Sequence, residues 1–161
     1  MSKIKIRNFD EADTNKVIDL ILRIQNIEFN LGLTIDDQPE LKNIKEYYLK
    51  NNGNFWVALN EINEIIGTIS IELLENKTTI LRKMFVKKEY RSQGIAKMLL
   101  DTLILFAENN QFDKILLDTP GVAISAHKFY EKNGFIEICK NSIPKTYNYT
   151  DKNSKIYELT L

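Results

Sequence analysis

The spacing of apolar residues predicts a strand and then a helix at the start of the chain. Ile4 and Ile6 alternate with basic residues, which is the pattern of a strand with one buried face. Apolar residues then recur every three or four positions from Val17 to Ile27, the spacing by which a helix buries one side. Asp10 to Asp13 supplies capping residues, so we expect a first helix to follow them.

A second helix is expected after a polar loop. The loop runs from Leu31 to Gln38, and Pro39 then stands at a first-turn position, where its fixed φ suits a helix. The helix should end near the sequence Asn51-Asn52-Gly53. Its apolar residues are Leu41, Ile44, Tyr47 and Tyr48.

Three apolar runs in the middle of the chain predict an antiparallel meander. The runs are Phe55 to Leu59, Ile65 to Leu74 and Ile80 to Val86, and they are rich in β-branched and aromatic residues. Glu61 to Glu64 and Asn76-Lys77 separate them. Both connections are short and polar, as turns between antiparallel strands usually are.

A glycine-containing turn leads from the last of these strands into a long helix. The turn is Arg91 to Ala96, and apolar residues recur at helical spacing after it. Lys97, Asp101 and Glu108 fall on the other faces, which makes the helix amphipathic. The expected buried stripe consists of Ile95, Met98, Leu99, Thr102, Leu103 and Phe106.

The last third of the chain alternates strand and helix signals. Lys114 to Asp118, Phe135 to Cys139 and Lys155 to Leu161 have strand character, whereas Val122 to Lys132 has a helical pattern. Gly134 follows that helix where a left-handed C-terminal cap is usual. Because repeats, linkers and low-complexity tracts are absent from the sequence, we expect residues 1–161 to form one α/β domain with a mixed sheet.

The glycine-containing turn has the properties of a phosphate-binding site. The first N–H groups of a helix lack intrahelical acceptors, and the helix dipole favours an anion beside them. Gly94 lacks the side chain that would hold a bulky anion away. We infer a polyphosphate ligand, held by neither a Walker A loop nor the three-glycine dinucleotide fingerprint. Residues 82–97 contain one acid, Glu89, and the basic residues Arg82, Lys83, Lys87, Lys88, Arg91 and Lys97.

Two segments resemble the motifs of one superfamily. Val86 to Ala96, VKKEYRSQGIA, resembles motif A of the GNAT acetyltransferases, in which a strand ending in Val precedes R/Q-x-x-G-x-G/A. Phe129 to Phe135, FYEKNGF, resembles motif B of the same superfamily. The two motifs occur in the expected order with a predicted strand between them, and the match runs from about Leu81 to Phe135. The resemblance implies a small single-domain acyl-CoA N-acyltransferase fold, with a mostly antiparallel sheet flanked by about four helices.

The same resemblance implies acetyl-CoA as the cofactor. In the superfamily, the pantetheine arm lies between the strand before motif A and the strand before motif B, and the motif A turn cradles the pyrophosphate. Ser125 takes a position where the superfamily often has an asparagine contacting pantetheine, and its shorter side chain offers fewer hydrogen bonds. The expected cofactor-binding residues are Met84, Phe85 and Val86 through their backbone, then Arg91, Ser92, Gln93, Gly94, Ile95 and Ala96 around the pyrophosphate, with Ser125 and Tyr130.

The implied reaction is transfer of an acetyl group to a primary amine by direct attack in a ternary complex. Attack on the thioester forms an oxyanion, so the site needs a hydrogen-bond donor to that oxygen. We expect this donor to be a main-chain N–H at Met84 to Val86. The site also needs an acid that gives a proton to the departing thiolate. Tyr130 matches the superfamily's tyrosine beside the cofactor sulfur. With a reference pKa of about 10 it is protonated at neutral pH, so we expect it to be the general acid rather than only a packing residue.

The base and the acceptor stay open at this point. Glu72 and Glu28 are candidate bases, although solvated carboxylates are commoner and water or an already neutral amine can replace a base. The acceptor is a small-molecule or peptide amine. We expect the loop Leu31 to Pro39 to line the acceptor side, but its sequence does not distinguish a small amine from a peptide. The alternative function is a non-catalytic acyl-CoA-binding sensor or regulatory module.

Composition and charge exclude several classes of protein. The chain has 161 residues, 43% of them apolar and 27% charged, which is typical of a soluble globular domain. No apolar run approaches the roughly 20 residues of a membrane helix, and no secretory signal is visible, so we expect a cytoplasmic protein without a membrane partner. A net charge of zero argues against nucleic acid as a partner, and a homodimer stays possible.

The remaining chemistry-bearing residues receive structural interpretations. Cys139 is the single cysteine, and we expect it to be a small buried residue of a strand. His127 is the single histidine, and we expect it to lie exposed on its helix without metal-ligand spacing, so no metal site is predicted. Lys128 and Lys132 are candidates for contact with the 3′-phosphate of the nucleotide.

Overall fold

The strands expected between Phe55 and Val86 lie in the middle of one mixed sheet. The computed structural model describes residues 3–161, and seven strands are found in that range. They are β1 (Lys5–Asn8), β2 (Asn54–Leu59), β3 (Ile65–Glu75), β4 (Thr78–Val86), β5 (Lys114–Thr119), β6 (Ile136–Ile138) and β7 (Lys155–Thr160). Their order across the sheet is β1-β2-β3-β4-β5-β7-β6. β4 and β5 are parallel, whereas β2 pairs antiparallel with β1 and β3, and β7 with β5 and β6, which confirms the mixed, mostly antiparallel sheet.

Four α-helices accompany the sheet in the described part of the chain. They are α1 (Thr14–Arg23), α2 (Ile44–Tyr47), α3 (Ile95–Asn109) and α4 (Ile124–Lys132). A π-helical turn, Ile24–Glu28, follows α1 directly. The predicted fold class is therefore confirmed.

The chain groups into two compact units. The first, here called the N-terminal unit, comprises the residues up to Glu72 together with Arg82–Phe106. The second, the C-terminal unit, comprises Leu73–Leu81 and Ala107–Leu161. That residues 1–161 form a single domain stays a prediction.

The 3₁₀ turn Glu11–Asp13, which leads directly into α1, is held by reciprocal hydrogen bonds. The N–H of Ala12 donates to Asp10 Oδ1 and the N–H of Asp10 donates to Asp13 Oδ2, each at 2.9 Å, which is the pattern of a capping box. Arg7 on β1 donates to both oxygens of Asp13, at 2.7 and 2.9 Å. A bidentate arginine–carboxylate pair fixes orientation as well as distance, so β1 and the first turn are locked together.

The first helix departs from the expected stripe at its C-terminal end. The stripe was predicted to run to Ile27, but the helix changes to the wider π form at Ile24. Gln25 is then buried, with 7% of its surface exposed, whereas Ile27 is 75% exposed. The prediction for Ile27 is wrong because a π turn uses more residues per turn and rotates later side chains off the helical stripe.

The second helix is shorter than its apolar residues suggested. α2 spans four residues and lies between two 3₁₀ turns, Pro39–Lys42 and Leu49–Asn51. Asn43 interrupts the first junction with φ −138° and ψ 48°, which is not helical. At the other end, the side-chain amide of Asn51 donates to the carbonyls of Glu46 and Tyr47, both at 3.0 Å, and so ends the helix.

The buried face of α3 is rotated from the predicted stripe. Met98 was expected to be buried but is 39% exposed, whereas Leu100 and Ala107 are buried. Apolar residues occupy most faces of this helix, so their spacing alone does not single out the buried face. Ile95, Leu99 and Leu103 are buried as expected.

Each unit has its own apolar core. In the N-terminal unit, side chains of α1 and α2 pack with inner residues of β2, and the cluster includes Val17, Ile21, Ile44, Phe55 and Val57. In the C-terminal unit, Ile80, Leu116 and Tyr147 form a smaller cluster. Because each buried large apolar side chain contributes about 1.5–3 kcal/mol, these clusters hold in place the elements that carry the site.

Candidate functional site

The C-terminal half of β4 contains a residue with a left-handed backbone conformation, next to the segment Met84 to Val86 that was predicted to bind pantetheine. Lys83, immediately before Met84, has a φ of +54° in the middle of a strand. A left-handed non-glycine residue costs on the order of 1–3 kcal/mol and persists only where its surroundings impose it. Thr68 Oγ1 donates to the Lys83 carbonyl at 2.7 Å, and Ser70 Oγ donates to the Arg82 carbonyl at 3.0 Å. Side-chain hydroxyls of β3 thus satisfy the carbonyls at this irregularity.

The turn before α3 has the geometry expected of an anion site. Ser92 and Gly94 have φ values of +62° and +80°, and an added Cβ on Gly94 would meet nothing within 4 Å. The Gly94 carbonyl accepts from the Met98 N–H at 3.0 Å, so it marks the start of the helix. The following amides, beginning at Ile95, therefore belong to the first turn, where intrahelical acceptors are lacking. The turn residues Arg91, Ser92, Gln93 and Gly94 are exposed.

Two predicted site residues, Arg91 and Glu28, contact each other. The Arg91 guanidinium forms an ion pair with Glu28 Oε2 at 2.6 Å. Arg91 Nε also donates to the Val86 carbonyl at 2.9 Å. Arg91 therefore connects the π-helical turn after α1 to the end of β4. Glu28, one of the two candidate bases, thus already has a cationic partner.

The other candidate base, Glu72, also lies beside a cation. Its Oε1 is 3.5 Å from Arg82 Nε. Burial and the Glu72 carboxylate raise the pKa of Tyr47 to about 12, so that hydroxyl stays protonated at neutral pH. Both candidate bases, Glu72 and Glu28, therefore lie beside an arginine.

A buried polar cluster that sequence reasoning missed lies next to the β4 irregularity. Lys83 Nζ donates to Gln38 Oε1 at 2.7 Å and lies 3.0 Å from Glu40 Oε1. Gln38 and Gln25 exchange two amide hydrogen bonds of 2.9 and 2.8 Å, and both are buried. Burial lowers the pKa of Lys83, while the Glu40 carboxylate opposes that shift. We call Gln25, Gln38, Glu40 and Lys83 the lysine cluster; the one sequence signal for it was a glutamine within the first apolar stripe.

Tyr130 lies on α4 in an aromatic cluster of the C-terminal unit. It is 7% exposed, and its ring centroid is 5.5 Å from those of Phe129 and Phe135 and 6.3 Å from that of Tyr157. Burial, and secondly the charge of Asp118, raise the pKa of Tyr130 well above its usual value. The phenol therefore holds its proton throughout the physiological range. Ser125 lies exposed in the first turn of the same helix.

Two expectations for the C-terminal unit are wrong. His127, expected to be exposed, is 5% exposed, with Nε2 2.9 Å from the Pro120 carbonyl and its ring packed near Tyr157. Cys139, expected to be buried in a strand, is exposed and follows β6, which ends at Ile138 and is itself largely exposed. By contrast, Gly134 has a φ of +91° directly after α4 and serves as the predicted left-handed cap.

The described residues contain neither a candidate metal cluster nor a candidate membrane-spanning helix. Among residues 3–161, no group of three or more His, Cys, Asp and Glu side chains is placed to hold a metal ion. Over the same range, every helix is too short or too polar to cross a bilayer.

The comparison with known protein families agrees with the two motifs. The model of the acetyltransferase (GNAT) domain matches residues 51–137. The chain belongs to the GNAT acetyltransferase family. That match contains β2 to β5, the turn before α3 and Tyr130, and it ends within β6, so the resemblance found from the sequence is confirmed.

Two solved acetyltransferase structures are similar to this protein over almost the whole chain. An acetyltransferase of the GNAT family from Staphylococcus aureus Mu50 superposes with a TM-score of 0.94 at 39% identity, covering 98% of this chain and 99% of that one. An acetyltransferase from Streptococcus agalactiae 2603 gives 0.92 at 31% identity, covering 98% of each chain. The GNAT fold is therefore established for this protein.

Curated relatives match a shorter segment. The N-acetylaspartate synthetase of Xenopus tropicalis is 39% identical over 100 residues, which is 61% of this chain and 36% of that protein. The Danio rerio protein of the same name is 34% identical over 113 residues, or 38% of its length. The matched segment thus spans little more than a third of these relatives.

Proposed function

We propose that this GNAT protein transfers the acetyl group of acetyl-CoA to a primary amine by direct attack in a ternary complex. The observation that carries the proposal is the exposed turn at Arg91 to Gly94, which has left-handed residues and leads into the first amides of α3. Helix amides without intrahelical acceptors, next to an exposed turn and a nearby guanidinium, suit a diphosphate. Membership of an acetyltransferase family makes the diphosphate of coenzyme A the natural occupant.

The proposed cofactor contacts follow the two motifs. The backbone of Met84, Phe85 and Val86 would pair with pantetheine, and the turn from Arg91 to Ala96 would bind the pyrophosphate. The open space around Gly94 supports the second assignment. The Val86 carbonyl already accepts from Arg91, so its contribution to pantetheine would come from its N–H. Ser125 would add a weaker contact.

The proposed reaction breaks the thioester C–S bond and forms a C–N bond. The lone pair of the neutral amine attacks the carbonyl carbon, and a main-chain N–H at Met84 to Val86 would stabilise the oxyanion. Collapse releases the thiolate, and the Tyr130 hydroxyl donates to the sulfur as general acid. The raised pKa of Tyr130 keeps the phenol protonated before the reaction, and the phenolate left after proton transfer to sulfur would regain a proton from water.

We propose no dedicated base for the amine. Glu28 is paired with Arg91, and Glu72 lies beside Arg82, so each carboxylate already has a cationic partner. The proton released from nitrogen would pass to water, and amines that are partly neutral at the working pH would react fastest.

The acceptor is proposed to be a small amine, with amino acids among the first to test. The names of the curated relatives motivate the inclusion of aspartate. The test is release of free coenzyme A thiol from acetyl-CoA with each member of a panel of amino acids, polyamines and short peptides. Thiol release that depends on an amine is the expected result. Tight binding of coenzyme A without such release would support the sensor instead.

A further inference from the structure

The lysine cluster joins three separate segments of the N-terminal unit at one ammonium group. Lys83 lies on β4, Gln38 and Glu40 lie on the segment between α1 and α2, and Gln25 lies in the π-helical turn. The Lys83 side chain is 12% exposed and that of Glu40 19%. Burying a charge is unfavourable unless it is paired and hydrogen-bonded, so Lys83 needs these partners where it is.

The π-helical turn is what brings Gln25 into the cluster. In a continuous α-helix the stripe would have placed Ile27 inward, but the π form buries Gln25 instead. The buried Gln25 amide then exchanges two hydrogen bonds with Gln38, whose oxygen also accepts from Lys83. The three side chains therefore form one hydrogen-bond network, and loss of any member would leave a polar group of its neighbour without a partner.

The backbone of Lys83 is strained at the same place. Its φ of +54° suits glycine, yet the residue is a lysine. A strained conformation persists when contacts on both sides impose it. Here Thr68 holds the carbonyl, and Gln38 with Glu40 hold the ammonium. The side chain thus supports a main-chain conformation that begins one residue before the segment Met84–Val86.

We propose that Lys83 is a positioning residue for acetyl transfer, which holds the left-handed turn of β4 and so sets the direction of the Met84–Val86 amides. This inference rests on the proposed function, because its consequence is the alignment of those amides with pantetheine and the oxyanion. The ammonium acts through the backbone and does not touch the reacting atoms.

The test compares two replacements that remove the ammonium but differ in their backbone preference. Lys83→Met must keep φ positive without its contacts, whereas Lys83→Gly adopts that conformation without strain. Glu40→Gln is added to both, so that no unpaired carboxylate is left buried. We expect the methionine variant to lose at least tenfold in kcat with little change in coenzyme A affinity, and the glycine variant to be at least threefold more active than the methionine one.

Control measurements separate this inference from the proposed function. Lys42→Met removes an exposed lysine that pairs with Asp36 on the same segment, and it should leave kcat unchanged. Hydrogen exchange of the Met84–Val86 amides should be at least tenfold faster in the Lys83→Met variant, whether or not the protein is active. If exchange is unchanged, or if glycine is no better than methionine, the inference is overturned. If the wild type releases no thiol, the proposed function fails and exchange alone decides the role of Lys83.

Discussion

Arg91 and Glu28 form a 2.6 Å ion pair that joins the turn before α3 to the π-helical turn after α1. The pair brings an acid next to a turn that we propose binds pyrophosphate. Arg91 Nε also donates a hydrogen bond to the Val86 carbonyl. The Glu28 carboxylate and the Val86 carbonyl therefore both orient the guanidinium of Arg91. The partner of Arg91 therefore affects both the charge and the geometry of the proposed phosphate site.

Replacing Glu28 by Gln should tighten coenzyme A binding two- to fivefold, about 0.4–1 kcal/mol. The substitution removes a negative charge near the proposed pyrophosphate, and a partly exposed pair of this kind is worth no more than about that amount. Isothermal calorimetry with coenzyme A measures the change. Glu11→Gln, which breaks the exposed pair with Lys45, is the matched control. Weaker binding would mean that Glu28 mainly orients Arg91, and a tenfold loss of kcat would identify it as the base.

Gly94→Ala and Gly32→Ala form a pair that separates strain from ligand binding. Both glycines have positive φ values, +80° and +64°, and an added Cβ would meet nothing within 4 Å at either one. Each substitution should therefore lower the unfolding free energy by a similar amount, about 1 kcal/mol. Only Gly94→Ala should weaken coenzyme A binding, by at least tenfold in calorimetry. Equal affinities in the two variants would refute the phosphate assignment.

Tyr130→Phe should lower kcat at least tenfold, which corresponds to about 1.4 kcal/mol of activation free energy. The phenyl ring keeps the aromatic contacts with Phe135 and Tyr157, so thermal stability and coenzyme A affinity should change little. Tyr157→Phe is the control, since it removes a hydroxyl from the same cluster that donates to Glu131. Near-normal turnover of the Tyr130 variant would remove it as the acid.

The pH profile of kcat should show no alkaline decline up to about pH 9.5. Tyr130 acts in its protonated form, and burial and Asp118 raise its pKa above the reference value of about 10. A raised pKa in the folded state also means that this group stabilises the fold fully below pH 10 and loses that effect as pH rises through the folded value. Initial rates at constant ionic strength from pH 6 to 9.5 test this. A decline centred near pH 8 would point to a different acid.

The local sequence determined much of this protein. Alternation and helical spacing located the strands from Phe55 to Val86 and the long helix after the turn, because those patterns reflect burial of one face over neighbouring residues. The positive φ value at Gly134 was also predicted, since the position after a helix favours glycine. The two motifs indicated the GNAT family, which the comparisons confirm.

Only the tertiary structure decided which polar groups meet. Gln38 and Lys83 are 45 residues apart in the chain, and no local pattern states that one will accept a hydrogen bond from the other. The same holds for Arg91 and Glu28, and for the burial of His127 against the Pro120 carbonyl. Apolar periodicity reports how a segment faces the core, whereas the pairing of buried charges depends on how distant segments pack. The left-handed backbone of Lys83 lies beside such a pairing, and no local sequence pattern indicated it.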